Sequence, residues 1–219
     1  MSKTWQQFID FILDIIFPKY CVNCGRLNCF ICEYCFEQIE FYIFPIKLKL
    51  ENKYLDEAHA LFKYQQPASK LITTLKYQSV KNLGFFLGKL IYECIDVPNA
   101  DLITFVPIHK KRFSERGFNQ TELIAQKLAD SVKIPHCALL NKSQNSKHQA
   151  SLKNKTERLK NLSNSFTINP KITKNIYQNK TILIIDDVLT TGATLNECAK
   201  VLKENGIKKV IGLTVAHEN

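Results

Sequence analysis

The chain has 219 residues, 45% of them hydrophobic and 11% aromatic, and a formal net charge of +10. That length holds one full core plus a small appendage, and that composition excludes a disordered chain. No stretch reads as a transmembrane span. The most apolar run near the start, residues 8–17, is short and carries Asp10 and Asp14, which a signal-peptide core tolerates poorly, so the cytoplasm is the expected location.

Trp5, Phe8, Ile9, Ile12 and Ile16 recur at helical spacing, which predicts an amphipathic helix over residues 4–16, ended by Pro18. Its polar face carries two aspartates where a membrane-surface helix carries lysines, so the stripe is expected to dock on the protein's own core. Five of the eight cysteines then fall within residues 21–35, "CVNCGRLNCFICEYC". Cys21 with Cys24, and Cys32 with Cys35, form two C-x2-C pairs. Each pair can put two thiolates on one ion, and four such ligands close a tetrahedral structural zinc site with no open position for catalysis. Cys29 with Cys32 makes a third C-x2-C, but the outer pairs fit knuckle geometry better and leave Cys29 as a spare. Residues 1–50 carry equal numbers of basic and acidic side chains and bury little core by themselves, so metal would supply much of their folding energy.

From about residue 55 the pattern alternates between helix and strand. Residues 81–95 read as a helix and 101–108 as a short aliphatic strand. Residues 119–132 read as a helix that Asn119 caps and Glu122 supports in a capping box. Residues 141–165 are polar and lysine-rich and read as a long loop or frayed helix. Residues 181–186 read as a buried strand, 193–205 as a helix ended by Gly206, and 208–216 as the closing strand. The alternation predicts an α/β unit over residues 51–219, a parallel sheet with helices on both faces. Residues 107–165 hold twelve Lys/Arg against four Asp/Glu. Such concentration either marks an anionic partner or is a solvated lysine-rich face.

The stretch "ILIIDDVLTTGATL", residues 182–195, carries the chemistry. No lysine follows Gly192, as a Walker phosphate loop needs, and the single glycine does not make a dinucleotide fingerprint. What remains is a strand delivering Asp186 and Asp187 to the carboxyl edge of a sheet. There Thr190, Thr191, Gly192, Ala193 and Thr194 turn into a helix whose N-terminal amides suit a phosphate. The two carboxylates can accept from sugar hydroxyls or help hold Mg2+. A ribose 5-phosphate fits both halves.

This pattern resembles the phosphoribosyl pyrophosphate (PRPP) signature of type I phosphoribosyltransferases. Further likenesses narrow it to the ComF family: the N-terminal helix ending in Pro18, the paired C-x2-C, "LKY" at 75–77, "VPIHKKRFSERGFNQTELIA" at 106–125 and "KHQASLKNKTERLKNLSNSF" at 147–166. The resemblance implies a zinc-finger segment fused to a phosphoribosyltransferase-like domain, with a role in uptake of transforming DNA in the cytoplasm. It also implies DNA-uptake or helicase proteins as partners, with membrane association weak or indirect. Under it, Asp186 and Asp187 are the catalytic pair that addresses the ribose hydroxyls, with Mg2+ bound alongside PRPP. Val188 and Thr190 to Thr194 form the phosphate turn, and the segment from His109 to Arg112 faces the pyrophosphate. Lys111 and Arg112, with Arg116 and Arg158 as further candidates, would stabilise its departure. Thr190 stands where enzymes acting on 6-oxopurines carry an aspartate, which argues against salvage of those bases. Any hood over an acceptor must come from residues 40–80.

A second reading rests on basic residues beside rings: Arg112-Phe113, Arg116-Gly117-Phe118, Lys63-Tyr64 and Lys76-Tyr77. Cations with stacking rings suit single-stranded DNA, so Arg112, Arg116 and Phe118 are nucleic-acid candidates. The alternative is that Phe113 and Phe118 are core residues. Two functions follow: a PRPP-binding protein that acts on single-stranded DNA, or an active phosphoribosyltransferase on an unidentified acceptor with no DNA contact.

Overall fold

A computed structural model describes residues 19–42, 45–50, 52–78, 80–142 and 165–218. The helix expected over 4–16 and most of the 141–165 segment, with Arg158, lie outside the described residues.

The central sheet has four parallel strands, β1 (Glu57–Lys63), β2 (Leu102–Phe105), β5 (Thr181–Leu189) and β6 (Lys209–His217), in the order β1-β6-β5-β2. Alternation along β5 explains the layering. Ile182 and Ile184 point into one buried cluster, while Leu183 and Ile185 point into another on the opposite face. The first cluster takes Leu195, Cys198 and Leu202 of α6 (Ala193–Glu204). The second takes Leu71, Ile72 and Leu75 of α2 (Ala68–Tyr77), Leu83, Leu87 and Ile91 of α3 (Lys81–Cys94), and Ile124 and Leu128 of α5 (Gln120–Val132). Helices therefore cover both faces, as the apolar runs require.

Helices α3 and α5 pack closely because Gly88 leaves room: a Cβ there would sit 2.5 Å from the Ile124 carbonyl oxygen. Asn119 caps α5, its Oδ1 accepting from the Thr121 N–H at 3.2 Å and the Thr121 hydroxyl at 2.7 Å. The short helix α1 (Glu33–Phe36) carries Cys35 and closes the cysteine segment, which is not isolated from the rest. Cys21, Ile31, Cys32, Cys35 and Ile39 share the cluster of α2 and α3, and Phe30 meets Phe86 with centroids 5.5 Å apart. Phe41 pairs antiparallel with Phe62 of β1, Tyr42 N–H donates to the Leu61 carbonyl and Ile46 N–H to that of Ala58, contacts that occupy part of the sheet edge. A two-stranded antiparallel hairpin stem, β3 (Leu140–Lys142) with β4 (Phe166–Ile168), brackets the undescribed 143–164 segment.

Candidate functional site

Strand β2 ends at Phe105, in register with Ile185, so β5 continues past its neighbour and presents Asp186 and Asp187 at the sheet's carboxyl edge. Asp187 is buried and held on both oxygens. Lys76 Nζ lies 2.7 Å from Oδ1 and Gln120 Nε2 donates to Oδ2 at 2.8 Å. Asp186 is tied on one side among the described residues, where Oδ1 accepts from the Asp187 N–H at 2.9 Å. Burial first, and the neighbouring Asp187 charge second, push the Asp186 carboxyl up to about 7. The two acids are thus unlike. Asp187 is a charge already compensated, whereas Asp186 is a carboxylate that gains from a cation or a hydroxyl donor.

Past Leu189 the chain bends through exposed Thr190 and Thr191 to Gly192, whose φ of 79° favours glycine, and enters α6 at Ala193. The Thr191 hydroxyl accepts from the Ala193 N–H at 3.4 Å. One flank of the bend is covered. A Cβ on Gly192 would lie 2.6 Å from Leu48 Cδ1. Leu48 reaches it because Asn196, on α6, clips residues 52–55: its Oδ1 accepts from the Tyr54 and Leu55 amides at 2.8 and 3.1 Å, and its Nδ2 donates to the Asn52 carbonyl at 2.7 Å. The threonine side stays open.

On α4 (Lys110–Arg116), Lys111 and Arg112 are exposed, and His109 caps the helix, its Nδ1 accepting from the Lys111 N–H at 3.2 Å. Gln120 and Lys142, to which sequence reasoning gave no site role, complete the surroundings with Lys76, which it named only beside Tyr77 in the strand-binding reading. Lys142, at the end of β3, sits 5.2 Å over the Phe166 ring and within electrostatic reach of Arg112 and Asp186. Burial, then Arg112, lowers its pKa. Its signal was lost in a run of ordinary lysines; that of Lys76 was its place just past the apolar stripe of α2. Gln120 gave none, since its partner lies 67 residues away in sequence.

One candidate is corrected. Phe118 is 5% exposed and packs into the α2–α3–α5 cluster, so its ring is not offered to a base. An apolar ring just ahead of a helix that buries its first residues is drawn into the core whatever charges flank it. Phe113 is half-exposed, and Tyr77 is 74% exposed with the Arg116 guanidinium 5.6 Å from its ring centre.

The four outer cysteines converge. The Sγ atoms of Cys21, Cys24, Cys32 and Cys35 all lie within 4.8 Å of one another. Cys29 stands apart, its thiol directed at the Arg26 and Leu27 carbonyls. The Cys32 N–H points to Cys21 Sγ at 3.4 Å and the Asn23 amide to Cys35 Sγ at 3.3 Å, the outer support that metal thiolates require. Burial opposes ionisation of Cys21, yet backbone N–H groups of Cys24, Cys32 and Asn23 hold it down to about 6. Asn23 favours the Cys35 thiolate, but burial and the other three thiols push it up to about 12. Four thiolates cannot coexist there without a cation. The set fits a tetrahedral metal ion such as zinc.

The chain is similar to several known proteins. A phosphoribosyl transferase domain model matches residues 119–219, which hold α5, β5, the bend, α6 and β6. Adenine phosphoribosyltransferase from Thermoanaerobacter pseudethanolicus is 13% identical with a TM-score of 0.39, covering 65% of this chain and 84% of that one. Competence protein F of Haemophilus influenzae is 30% identical over 89% of this chain and 82% of its own length. Competence protein ComFC of Streptococcus pneumoniae is 30% identical over 69% of this chain and 64% of its own. The chain carries a phosphoribosyltransferase-like fold, and it belongs to the ComF family. Among the described residues, no helix is long and apolar enough to cross a membrane.

Proposed function

We propose that the chain binds PRPP with Mg2+ at the β5–α6 bend and acts on single-stranded DNA during uptake of transforming DNA in the cytoplasm. The observation that carries the PRPP half is the succession of Asp186 and Asp187, the open Thr190–Thr191 side of the bend, and the start of a twelve-residue helix. The amides at that helix start would hold the 5-phosphate. Asp186, with the least-compensated charge, would take a ribose hydroxyl or Mg2+. Lys111, Arg112 and Lys142 would face the pyrophosphate, whose charge calls for cations from more than one element. Val188, on β5 between the acids and the bend, would line the sugar. The DNA half is supported by the names of the relatives and by Arg112, Arg116 and the exposed Tyr77 and Phe113 rings. In the four-cysteine knuckle, zinc would act as a structural ion that fixes the N-terminal segment onto α2 and α3.

A ligand that binds only the folded state stabilises it. Mg2+ with PRPP is therefore expected to raise the melting temperature, and ribose 5-phosphate to raise it less. No shift with either would refute the site. Strand binding is expected to weaken with salt and with Arg112→Ala plus Arg116→Ala. The second reading, transfer of phosphoribose to an unidentified acceptor, is favoured by the match to a phosphoribosyl transferase domain. It predicts acceptor-dependent release of pyrophosphate that Asp186→Ala plus Asp187→Ala abolishes.

A further inference from the structure

The contacts that hold Asp187 do not stop at the site. Gln120, which donates to Asp187 through Nε2, accepts through Oε1 from Arg116 Nη1 at 3.0 Å. Arg116 lies over the ring of Tyr77, and Tyr77 follows Lys76, the other partner of Asp187, in the last turn of α2. Lys76, Asp187, Gln120, Arg116 and Tyr77 therefore close a loop of contacts from a buried carboxylate to a ring that is 74% exposed.

We propose that this loop makes binding of PRPP at the bend and binding of a single DNA strand at the Tyr77–Arg116 surface mutually reinforcing, with Lys76 as the shared element. The proposal rests on the reading above that the chain takes both ligands. Lys76 is a compact charge on a flexible stem. Its Nζ sits on Asp187 in a pair that is only partly shielded, with side chains 22% and 11% exposed. Sugar hydroxyls donating to Asp187 would leave the carboxylate with less need of the ammonium, and Mg2+ held by the acid pair would supply positive charge beside it. The released Lys76 stays beside Tyr77, where a base stacked on the ring brings a backbone phosphate within reach. In the other direction, a strand phosphate that draws Lys76 away frees Asp187 Oδ1 for the sugar. Linkage requires that each ligand tighten the other by the same factor, and couplings of this kind run at about 5- to 150-fold. The sign is diagnostic. Two polyanions on neighbouring sites with no such element weaken each other by charge repulsion.

The test is fluorescence anisotropy of a labelled oligothymidylate with the full chain at fixed ionic strength and Mg2+, with and without saturating PRPP. The reciprocal is a calorimetric PRPP titration with and without the oligothymidylate. The expected result is at least fivefold tighter strand binding with PRPP, the same factor in the reciprocal titration, and loss of that factor in Lys76→Met. Both ligands binding with an unchanged or weakened affinity for each other overturns the coupling and leaves the proposed function standing. Failure of either ligand to bind alone overturns the proposed function and the coupling with it. A Lys76→Met protein that keeps the full factor removes Lys76 from the mechanism and overturns the proposal as stated. Should Lys76→Met not fold by circular dichroism, Lys76→Gln takes its place, and the native chain alone still decides the sign.

Discussion

The cysteine knuckle and the carboxyl edge of the sheet both concentrate like-charged groups, and they treat them oppositely. In the knuckle four thiols face one point, with N–H groups from Cys32 and Asn23 turned toward the sulfurs, so the arrangement is complete only around a cation and leaves no position for an exchanging ligand. At the sheet edge, Asp187 is satisfied by the protein's own Lys76 and Gln120, while the half-buried Asp186 is less fully compensated and the threonines of the bend are exposed. A closed set of donors suits a structural ion; a half-compensated set beside an exposed bend suits a ligand that comes and goes.

The sharpest break in that comparison is to empty the knuckle. Because Cys21, Cys32 and Cys35 are buried in the core shared with α2 and α3, chelation or Cys35→Ala is expected to lower the melting temperature by on the order of 10 °C. Metal analysis should fall from one ion per chain to none, and an unaltered melting curve would make the knuckle dispensable. Next in size is Gly192→Ala. A left-handed residue with a Cβ costs about 1–2 kcal/mol in stability, and the methyl meets Leu48. Distortion of the bend should weaken PRPP binding by roughly tenfold or more, the affinity equivalent of about 1.4 kcal/mol.

Acidity separates the two regions again. Asp186 titrates near 7 in the folded chain against an ordinary 3.8, so its ionisation favours the unfolded state. Its contribution to stability is present below 3.8 and lost as pH rises to about 7, and Asp186→Asn should remove that slope in melting experiments. A ligand that needs the carboxylate follows the opposite course. PRPP affinity should rise by up to about tenfold per pH unit below 7 and level off above it. The smallest effect belongs to Cys29→Ser, which should leave the metal content unchanged and alter stability by roughly 0.5 kcal/mol, since the near-isosteric side chain is only partly buried at the margin of the core.

What was legible followed from short-range pattern. The β5 strand, the Asn119 cap, the end of α6 before Gly206 and the convergence of two C-x2-C pairs are all set by spacings of a few residues, where periodicity and capping chemistry act. Phe118 misled because its flanking arginines are local, whereas the core that takes its ring is assembled from α2, α3 and α5. Gln120 was invisible for the same reason, and Lys76 was visible only as the neighbour of Tyr77. Their worth as partners of Asp187 exists only once α2, α5 and β5 meet. Lys142 gains its role from a hairpin stem whose strands lie on either side of a long polar segment.

The central claim is that the Asp186–Asp187 pair and the threonine bend hold PRPP. Calorimetric titration with PRPP and Mg2+, on the native chain and on Asp186→Ala plus Asp187→Ala, measures it directly. The account predicts saturable heat from the first and little or none from the second; equal heat from both, or none from the native chain, would contradict it.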